Sequence, residues 1–269
     1  MTLKEALVFH DSHETLWLLE KATGLTSTQL RLANESTILN PEAEKLFLHM
    51  IEQRCRHVPL QYILGCWDFM GLPMKCRPGV LIPRGDTEVL AQEAIKFLNH
   101  CPGNMTALDI CTGSGCVGIG IAKFCPKVHV TAVDIDVSAL ALAEENAVNN
   151  AVGDRISFVR SDLFEKINSQ FNCITSNPPY IPTHEIISLS KEVQQEPVLA
   201  LDGGKDGLDF YRTIIPACRK YLLPGGGVFL EIGNTQGEIV MEMMHSHGFN
   251  NVAIVNDIEG RPRVVQAML

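Results

Sequence analysis

Strand-like apolar segments alternate with longer segments of helical periodicity between residues 105 and 269. We predict strands at 105–110, 128–134, 155–159, 171–176, 226–232, 250–255 and 262–268, and helices near 115–125, 137–150, 207–222 and 236–247. Such alternation is typical of a doubly wound α/β fold with a mostly parallel sheet. Only residues 256–261 separate the last two strands, which is too short for a helical crossover, so these strands are expected to be antiparallel.

The residues before this region have a different pattern. Residues 1–58 are predicted to be helical, with an apolar stripe at Leu46, Phe47, Met50 and Ile51. Two helix starts and one stop are indicated by capping residues, at Asp11-Ser12, Asn40-Pro41 and Gly24.

Residues 59–82 are predicted to contain a β-hairpin, because the strand-like segments 62–69 and 72–76 flank Met70-Gly71. A helix is expected to open at 83–88 and to run to about Asn99. The expected organisation is a helical domain at 1–58, a hairpin connector at 59–82 and an α/β domain at 83–269.

Composition excludes some classes of protein. The formal net charge is −9, which argues against a protein whose main partner is a nucleic-acid backbone. The nine cysteines include no C-x-x-C pair, and they predict free thiols in a reducing compartment and no metal site. The N-terminal residues do not resemble a signal peptide, and no apolar run has the length of a membrane span. A cytoplasmic monomer without membrane or direct nucleic-acid partners is expected.

A glycine-rich turn follows the first strand of the predicted sheet. Gly113, Gly115 and Gly118 satisfy G-x-G-x-x-G, and Asp134 follows at the end of the next strand. This pattern fits a site in which the backbone approaches a nucleotide and the carboxylate accepts hydrogen bonds from ribose hydroxyls. The glycine pattern alone would suit a dinucleotide.

Asp109 favours a different cofactor. It ends the first strand beside the glycine turn, where a carboxylate is unfavourable near a pyrophosphate but favourable near a cation. S-adenosylmethionine has no phosphate and carries a sulfonium and an ammonium, so we predict that cofactor. Asp162 is placed to accept a hydrogen bond from an adenine amino group or simply to cap a loop, and Leu163 and Phe164 are candidates for packing on the ring.

The segment Asn177-Pro178-Pro179-Tyr180 follows the fourth predicted strand. A residue before proline is held extended, and each proline offers a carbonyl but no N–H. The Asn177 side-chain oxygen and the Pro178 carbonyl are therefore predicted to face one point, as suits a planar NH2 group with two hydrogens to donate. Tyr180 is expected to form a wall of this pocket. A rigid turn without function is the alternative that the four residues alone leave open.

Position in the sheet brings these motifs together. The glycine turn, Asp134, Asp162 and Asn177 all follow strands, and the carboxyl ends of parallel strands are where ligands bind in open α/β sheets. Two acceptors that hold an amide nitrogen would favour its attacking form and would bind it more tightly as positive charge develops. Glu231 also ends a strand near this edge, and either a structural or a functional hydrogen bond remains open for it. The long loop from Pro182 to Leu208 is a candidate lid.

The chain resembles the PrmC/HemK family of protein-(glutamine-N5) methyltransferases over nearly all its length. The resemblance is carried by the helical N-terminal region and five motifs, at Pro59–Gly65, Leu81–Glu88, Thr112–Gly115, Ser176–Tyr180 and Gly260–Arg263. Family members usually have glycine where this chain has Cys111, proline where it has Gly85, and in some cases an aromatic residue where it has Leu163.

The resemblance implies a Rossmann-like, class I S-adenosylmethionine-dependent methyltransferase with a seven-stranded sheet and a substrate-recognition role for residues 1–58. It implies methylation of the glutamine in the Gly-Gly-Gln loop of class 1 peptide chain release factors. The residues expected to bind the cofactor are Asp109, Cys111, Thr112, Gly113, Ser114, Gly115, Asp134, Asp162, Leu163 and Asn177. Those expected to hold the glutamine are Asn177, Pro178, Pro179 and Tyr180, with Asn177, Pro178 and Tyr180 catalytic.

Two related substrates remain as alternatives. A glutamine of a large-subunit ribosomal protein would present the same carboxamide to Asn-Pro-Pro-Tyr. The exocyclic amine of a nucleic-acid adenine presents the same two hydrogens, but the acidic charge and the lack of a separate basic domain count against it.

Overall fold

The computed structural model describes residues 1–8, 12–34 and 36–269. The chain divides into two compact units, one of residues 1–66 with 190–195 and one of residues 67–189 with 196–269. The first unit contains five helices among its described residues: α1 (Leu3–Leu7), α2 (Ser12–Thr23), α3 (Ser27–Leu32), α4 (Pro41–Cys55) and α5 (Leu60–Leu64). Within the described residues no helix has both the length and the apolar character that crossing a bilayer requires.

Capping residues explain the helix bounds in the first unit. Asn40 accepts a hydrogen bond from Ala43 N at 2.7 Å with Pro41 at the first helical position, which confirms that predicted start. Helix α2 ends at Thr23 before Gly24, as predicted, but the predicted cap Asp11 lies outside the described residues. Leu46 does not belong to the core, since it is 40% exposed.

The elements that follow begin with a hairpin of strands β1 (Cys66–Phe69) and β2 (Leu72–Lys75) and with helix α6 (Thr87–His100). The sheet and its helices then run in chain order as β3 (Met105–Ile110), α7 (Cys116–Phe124), β4 (Val128–Asp134), α8 (Val137–Asn149), β5 (Ile156–Arg160), β6 (Phe171–Ser176), α9 (Asp209–Tyr221), β7 (Leu222–Glu231), α10 (Gly237–Ser246), β8 (Asn250–Asn256) and β9 (Pro262–Met268). Short 3₁₀ turns lie at Gly153–Arg155, Thr183–Ser188, Val193–Gln195 and Val198–Ala200.

One predicted strand is partly helical. Residues 62–64 belong to α5, which begins after Pro59 and ends at Gly65, a residue with φ of +72°. Proline favours the start of a helix and glycine its left-handed end, so the hairpin is shorter than the apolar pattern indicated. The hairpin turn itself lies where it was predicted.

The large sheet has the order β5-β4-β3-β6-β7-β9-β8. The pairs β3–β4, β4–β5, β3–β6 and β6–β7 are parallel, while β7–β9 and β8–β9 are antiparallel. This mixed seven-stranded sheet confirms the predicted α/β class and the antiparallel C-terminal pair. Strands β4 and β5 lie on one side of β3, and β6 and β7 lie on the other, so the strand order reverses between β3 and β6. The carboxyl ends of β3 and β6 therefore form the topological switch point, where ligands bind in such sheets.

Alternation along the strands separates two apolar layers. Ala107 packs with α6 and α7 on one face of the sheet, whereas Leu108 and Ile110 pack with α9 and α10 on the other. Asp109 therefore points to the same face as Ala107, toward α7 and the glycine turn. The fold itself thus places a carboxylate under that turn.

Candidate active site

A cleft open to solvent lies at the carboxyl ends of the parallel strands, with a volume of about 710 Å³ when its open mouth is included. A smaller cleft adjoins it, and four residues line both: Leu81, Cys111, Gly113 and Asn177. The predicted residues Asp134, Asp162, Leu163 and Pro179 line the larger cleft, and Asp109, Thr112 and Ser114 line the smaller one. Most of the predicted site residues are therefore close together, whereas Gly115, Pro178 and Tyr180 line neither cleft.

The glycine turn has the conformation that its residues predict. Gly113 and Gly115 have φ of +55° and +83°, in the left-handed region that glycine adopts without strain. A Cβ atom at Gly115 would lie 2.9 Å from Cβ of Ala143, so no side chain fits there. Cys111 adopts φ of +58° without being glycine, which is an uncommon and costly conformation.

Asp109 is buried under this turn and is 1% exposed. One carboxylate oxygen accepts from the Thr175 hydroxyl at 2.8 Å, and the other accepts from the Thr112 hydroxyl at 2.6 Å and from Gly118 N at 3.2 Å. Burial raises the pKa of Asp109 from 3.8 to about 6, against the lowering effect of these hydrogen bonds. Both oxygens are thus used to shape the turn, and a direct contact with a cofactor stays a prediction.

Asp134 ends β4 and is organised by backbone donors. One of its oxygens accepts from Gly113 N at 2.8 Å and the other from Asp136 N at 3.0 Å. Burial raises its pKa, while these N–H groups lower it. Each oxygen keeps a lone pair that could accept from a ribose hydroxyl.

The residues after β5 differ partly from expectation. Asp162 is exposed and lines the larger cleft, and so does Leu163, whose φ is +42°. Phe164 does not reach the cleft, because it is buried and stacks on Tyr221 with ring centroids 4.7 Å apart. Of the two expected packing partners for an adenine ring, only Leu163 is available.

Asn177 stands between the two clefts. Its Nδ2 atom donates to the Thr87 hydroxyl at 3.1 Å, and no described residue donates to its Oδ1 atom. The Asn177 amide nitrogen is therefore occupied on the protein side, whereas its oxygen is free to accept from a ligand.

Tyr180 was expected to wall the pocket, and it is absent from the described lining of both clefts. Its backbone carbonyl accepts from Gln236 Nε2 at 2.9 Å, and its hydroxyl lies 3.5 Å from Glu231 Oε1. Burial raises the pKa of the Tyr180 phenol, so the group stays protonated. Backbone contacts fix this turn further, since a Cβ atom at Gly203 would lie 2.7 Å from Tyr180 Cα and 2.8 Å from Pro179 O.

Two stretches of the cleft wall were not predicted to be part of the site. Gly79, Val80 and Leu81 lie on one side, and Pro197, Leu199, Ala200 and Phe210 on another. Glu196 joins these two stretches, because it accepts from Ile82 N at 3.0 Å and pairs with Arg84. Glu196 and Arg84 are 112 residues apart, so no local sequence pattern indicates that they pair.

The charge of the larger cleft restricts its ligand. Its described lining includes Asp134, Asp136 and Asp162 but no lysine, arginine or histidine, and its other members are mostly apolar. The charged side chains that a pyrophosphate would meet here are all carboxylates, whereas a nucleoside with a cationic group finds apolar surface and acceptors. The donor set therefore fits S-adenosylmethionine better than a dinucleotide.

Known proteins with related sequences support the same conclusion. The profile of the PrmC N-terminal domain matches residues 1–65, and that of the methyltransferase small domain matches residues 91–205. The release factor glutamine methyltransferase of Geobacter sulfurreducens is 43% identical over 94% of this chain and 87% of its own length. The enzyme of the same name from Clostridium acetobutylicum is 34% identical over 100% and 99% of the two chains.

A solved structure shares the fold at low sequence identity. The methyltransferase of Pyrococcus furiosus superposes with a TM-score of 0.54 and 19% identity, covering 74% of this chain and 90% of its own. At this identity the likeness concerns the fold alone.

Proposed function

This chain belongs to the release factor glutamine methyltransferase family, and on that premise we propose that it methylates the side-chain nitrogen (N5) of the glutamine in the Gly-Gly-Gln motif of class 1 release factors. It is an S-adenosylmethionine-dependent methyltransferase. The observation that carries the substrate proposal is the free Oδ1 atom of Asn177 at the wall shared by both clefts.

The larger cleft is proposed to hold the adenosine part of S-adenosylmethionine. Asp134 would accept from the ribose, Asp162 from the adenine amino group, and Leu163 would pack on the ring. The turn from Cys111 to Gly115 would contact the remainder through its backbone, with Asp109 holding that turn in shape. Asn177 would touch both cofactor and substrate, because it lines both clefts.

Asn177 and the Pro178 carbonyl are proposed to accept the two hydrogens of the substrate carboxamide. Pro179 lines the larger cleft and would pack against the glutamine side chain. Tyr180 is proposed to support this turn, since its hydroxyl lies near Glu231. Contact of Tyr180 with the substrate, which the sequence suggested, stays a prediction.

Methyl transfer to an amide needs a positioned and activated nitrogen. When bound, S-adenosylmethionine would supply an electrophilic methyl group, and the electron pair of the broken carbon–sulfur bond would stay on its sulfur. The amide nitrogen forms the new bond with its lone pair and afterwards loses one proton to solvent. Asn177 Oδ1 and Pro178 O would hold the nitrogen as positive charge develops on it, so they stabilise the transition state more than the bound substrate.

The test is methylation with labelled S-adenosylmethionine of a purified release factor, beside the same factor with its Gly-Gly-Gln glutamine changed to alanine. Label on the native factor alone is expected. Equal label on both factors, or label on neither, would contradict the proposal. A ribosomal fraction as a third substrate separates the alternative, since preferential label there would indicate a ribosomal-protein glutamine.

The helical segment 1–58 is proposed to recognise the protein substrate, and 59–82 to connect it to the methyltransferase domain at 83–269. Leu32 and Ile38 are 82% and 74% exposed, as suits a surface that a protein partner covers. Leu32→Asp is expected to raise KM for the release factor about tenfold with unchanged affinity for the cofactor. Ile258→Asp is the matched control, because Ile258 is fully exposed in the turn between β8 and β9.

The release factor is also the proposed physiological partner of a cytoplasmic, monomeric enzyme. Translation termination takes place in the cytoplasm, and the net charge of −9 does not suit a nucleic-acid partner. Sedimentation of the purified protein, alone and with the release factor, tests the monomer and the complex.

A further inference from the structure

A buried carboxylate lies behind the Asn-Pro-Pro-Tyr turn. Glu231 ends β7 and is 1% exposed. Its Oε1 atom is 3.5 Å from the Tyr180 hydroxyl, and its Oε2 atom has no hydrogen-bond partner among the described residues. A buried carboxylate oxygen without a donor is rare and costly, so its retention calls for an explanation.

Thr87 lies between this carboxylate and Asn177. It is 3% exposed in the first turn of α6, and its hydroxyl accepts from Asn177 Nδ2 at 3.1 Å. Helix α6, which carries Thr87, packs against β7, which ends at Glu231. The Thr87 side chain lowers the pKa of Glu231 without forming a full hydrogen bond to it. Thr87 lines the smaller cleft but is almost fully buried, and Glu231 is the neighbouring acceptor toward which its own hydrogen can point.

We call the path from Glu231 through Thr87 to Asn177 the relay. The direction in which its hydrogen bonds are donated determines which atom of Asn177 faces the clefts. A threonine hydroxyl has one hydrogen, and an ionised carboxylate can only accept. When the hydrogen of Thr87 points to Glu231, only a lone pair remains for Asn177, which must present its NH2 group to Thr87 and its oxygen to the clefts.

We infer that Glu231, acting through Thr87, is a positioning residue that holds the Asn177 carboxamide with its oxygen toward the substrate. The inference rests on the proposed function, because the oxygen is needed only if the ligand there is a hydrogen-bond donor. Neither Thr87 nor Glu231 has to touch the substrate for this role.

Protonation of Glu231 would reverse the relay. A neutral carboxyl can donate to Thr87, whose hydrogen is then free to bond Asn177 Oδ1 and to turn the NH2 group toward the clefts. Burial raises the pKa of Glu231 from 4.5 to about 7. The groups that act on it are Thr87, Arg263 and Tyr180, which favour the charged form, and Asp86, which disfavours it; the Tyr211 hydroxyl donates to its main-chain carbonyl at 2.7 Å.

The first test compares two substitutions of Thr87. Thr87→Val keeps the shape but removes the hydroxyl, so kcat is expected to fall by about thirtyfold with unchanged cofactor affinity. Thr87→Ser keeps the hydroxyl and should retain kcat within about threefold. Equal losses in the two variants, or a valine variant with native kcat, would overturn the inference.

The second test is the pH profile of kcat. The wild-type kcat is expected to fall as the pH drops below about 7, with the ionisation of Glu231. Glu231→Gln can donate to Thr87 at every pH, so a low kcat without this inflection is expected. An unchanged inflection in Glu231→Gln would assign it to another group and contradict the relay.

The wild-type enzyme separates this inference from the proposed function. If the wild type does not label the release factor glutamine, the proposed substrate is wrong. If the wild type labels it and the valine variant does so equally fast, only the relay is wrong. Measured cofactor affinity shows in each case that the variant is folded.

Discussion

Two buried carboxylates support the two halves of the site in opposite ways. Asp109, under the glycine turn, accepts three hydrogen bonds and leaves neither oxygen without a donor. Glu231, behind Asn177, has one contact of 3.5 Å and one oxygen without a partner. Asp109, whose oxygens all have donors, fixes the shape of a backbone turn. Glu231, which has an oxygen without a donor, is able to orient a neighbouring side chain. Burial alone therefore does not tell whether an acidic residue is structural.

Asn177→Ala should show the largest difference between the substrate half and the cofactor half of the site. It removes the proposed acceptor of the substrate amide but leaves Asp109 and the glycine turn intact. We expect kcat to fall roughly a thousandfold, about 4 kcal/mol, with cofactor affinity nearly unchanged in a titration with S-adenosylhomocysteine. Asn99→Ala, at an exposed position of α6, is the control. Equal losses of cofactor affinity and kcat would place Asn177 in the cofactor half.

The next largest effect is expected in the pH dependence of the unfolding free energy, compared between the wild type and Glu231→Gln. Because the pKa of Glu231 is raised from 4.5 to about 7, its favourable contribution is complete below 4.5 and is lost as the pH rises through 7. The wild type should therefore lose about 3 kcal/mol of unfolding free energy over this window that Glu231→Gln does not lose. Urea unfolding at pH 4.5 and pH 8 measures the difference, and parallel losses in both proteins would count against a strained buried charge.

Thr175→Val would leave Asp109, like Glu231, with a buried carboxylate oxygen that has no hydrogen-bond donor. It removes the hydroxyl that donates to one oxygen of Asp109 and leaves that buried atom without a partner. We expect a loss of about 2 kcal/mol in unfolding free energy at pH 8 and a smaller loss at pH 5, where Asp109 can protonate. Thr131→Val on β4 is the control, because no described residue is hydrogen-bonded to its hydroxyl. A loss that is the same at both pH values would show that the carboxylate is not involved.

Cys111→Gly should have the smallest effect and the opposite sign. Cys111 holds φ of +58° at the edge of the cofactor half, and glycine relieves that strain. The expected gain in unfolding free energy is about 1 kcal/mol, measured against Cys111→Ala, which loses the thiol but keeps the Cβ atom. If both variants change stability alike, the thiol and not the backbone accounts for the effect.

The sheet could be predicted from the sequence because its signals are local. Periodicities of two and of about 3.6 residues place the strands and helices within a few residues, and glycine, proline and asparagine mark their ends. The largest error, the strand at 62–64, arose because an apolar segment too short to show a period was bounded by Pro59 and Gly65 as a helix.

The site was predictable only where it follows strands. Asp134, Asp162 and Asn177 could be placed together because parallel strands end at one edge. Leu81, Leu199 and Thr87 were not assigned to the site, since none of them follows a strand of the sheet. The Gln236 contact that fixes the backbone of Tyr180 could not be predicted, because the two residues are 56 positions apart.

The close approach of Gly203 to Pro179 and Tyr180 limits how the sequence of this enzyme can vary. A residue with any side chain at that position would displace the turn that carries Asn177, so length changes around it should abolish turnover even though the loop carries no reactive group. By contrast, Ile187 in the same connection is 84% exposed, and an inserted residue there should be tolerated. Homologues should therefore differ in length near Ile187 and never near Gly203.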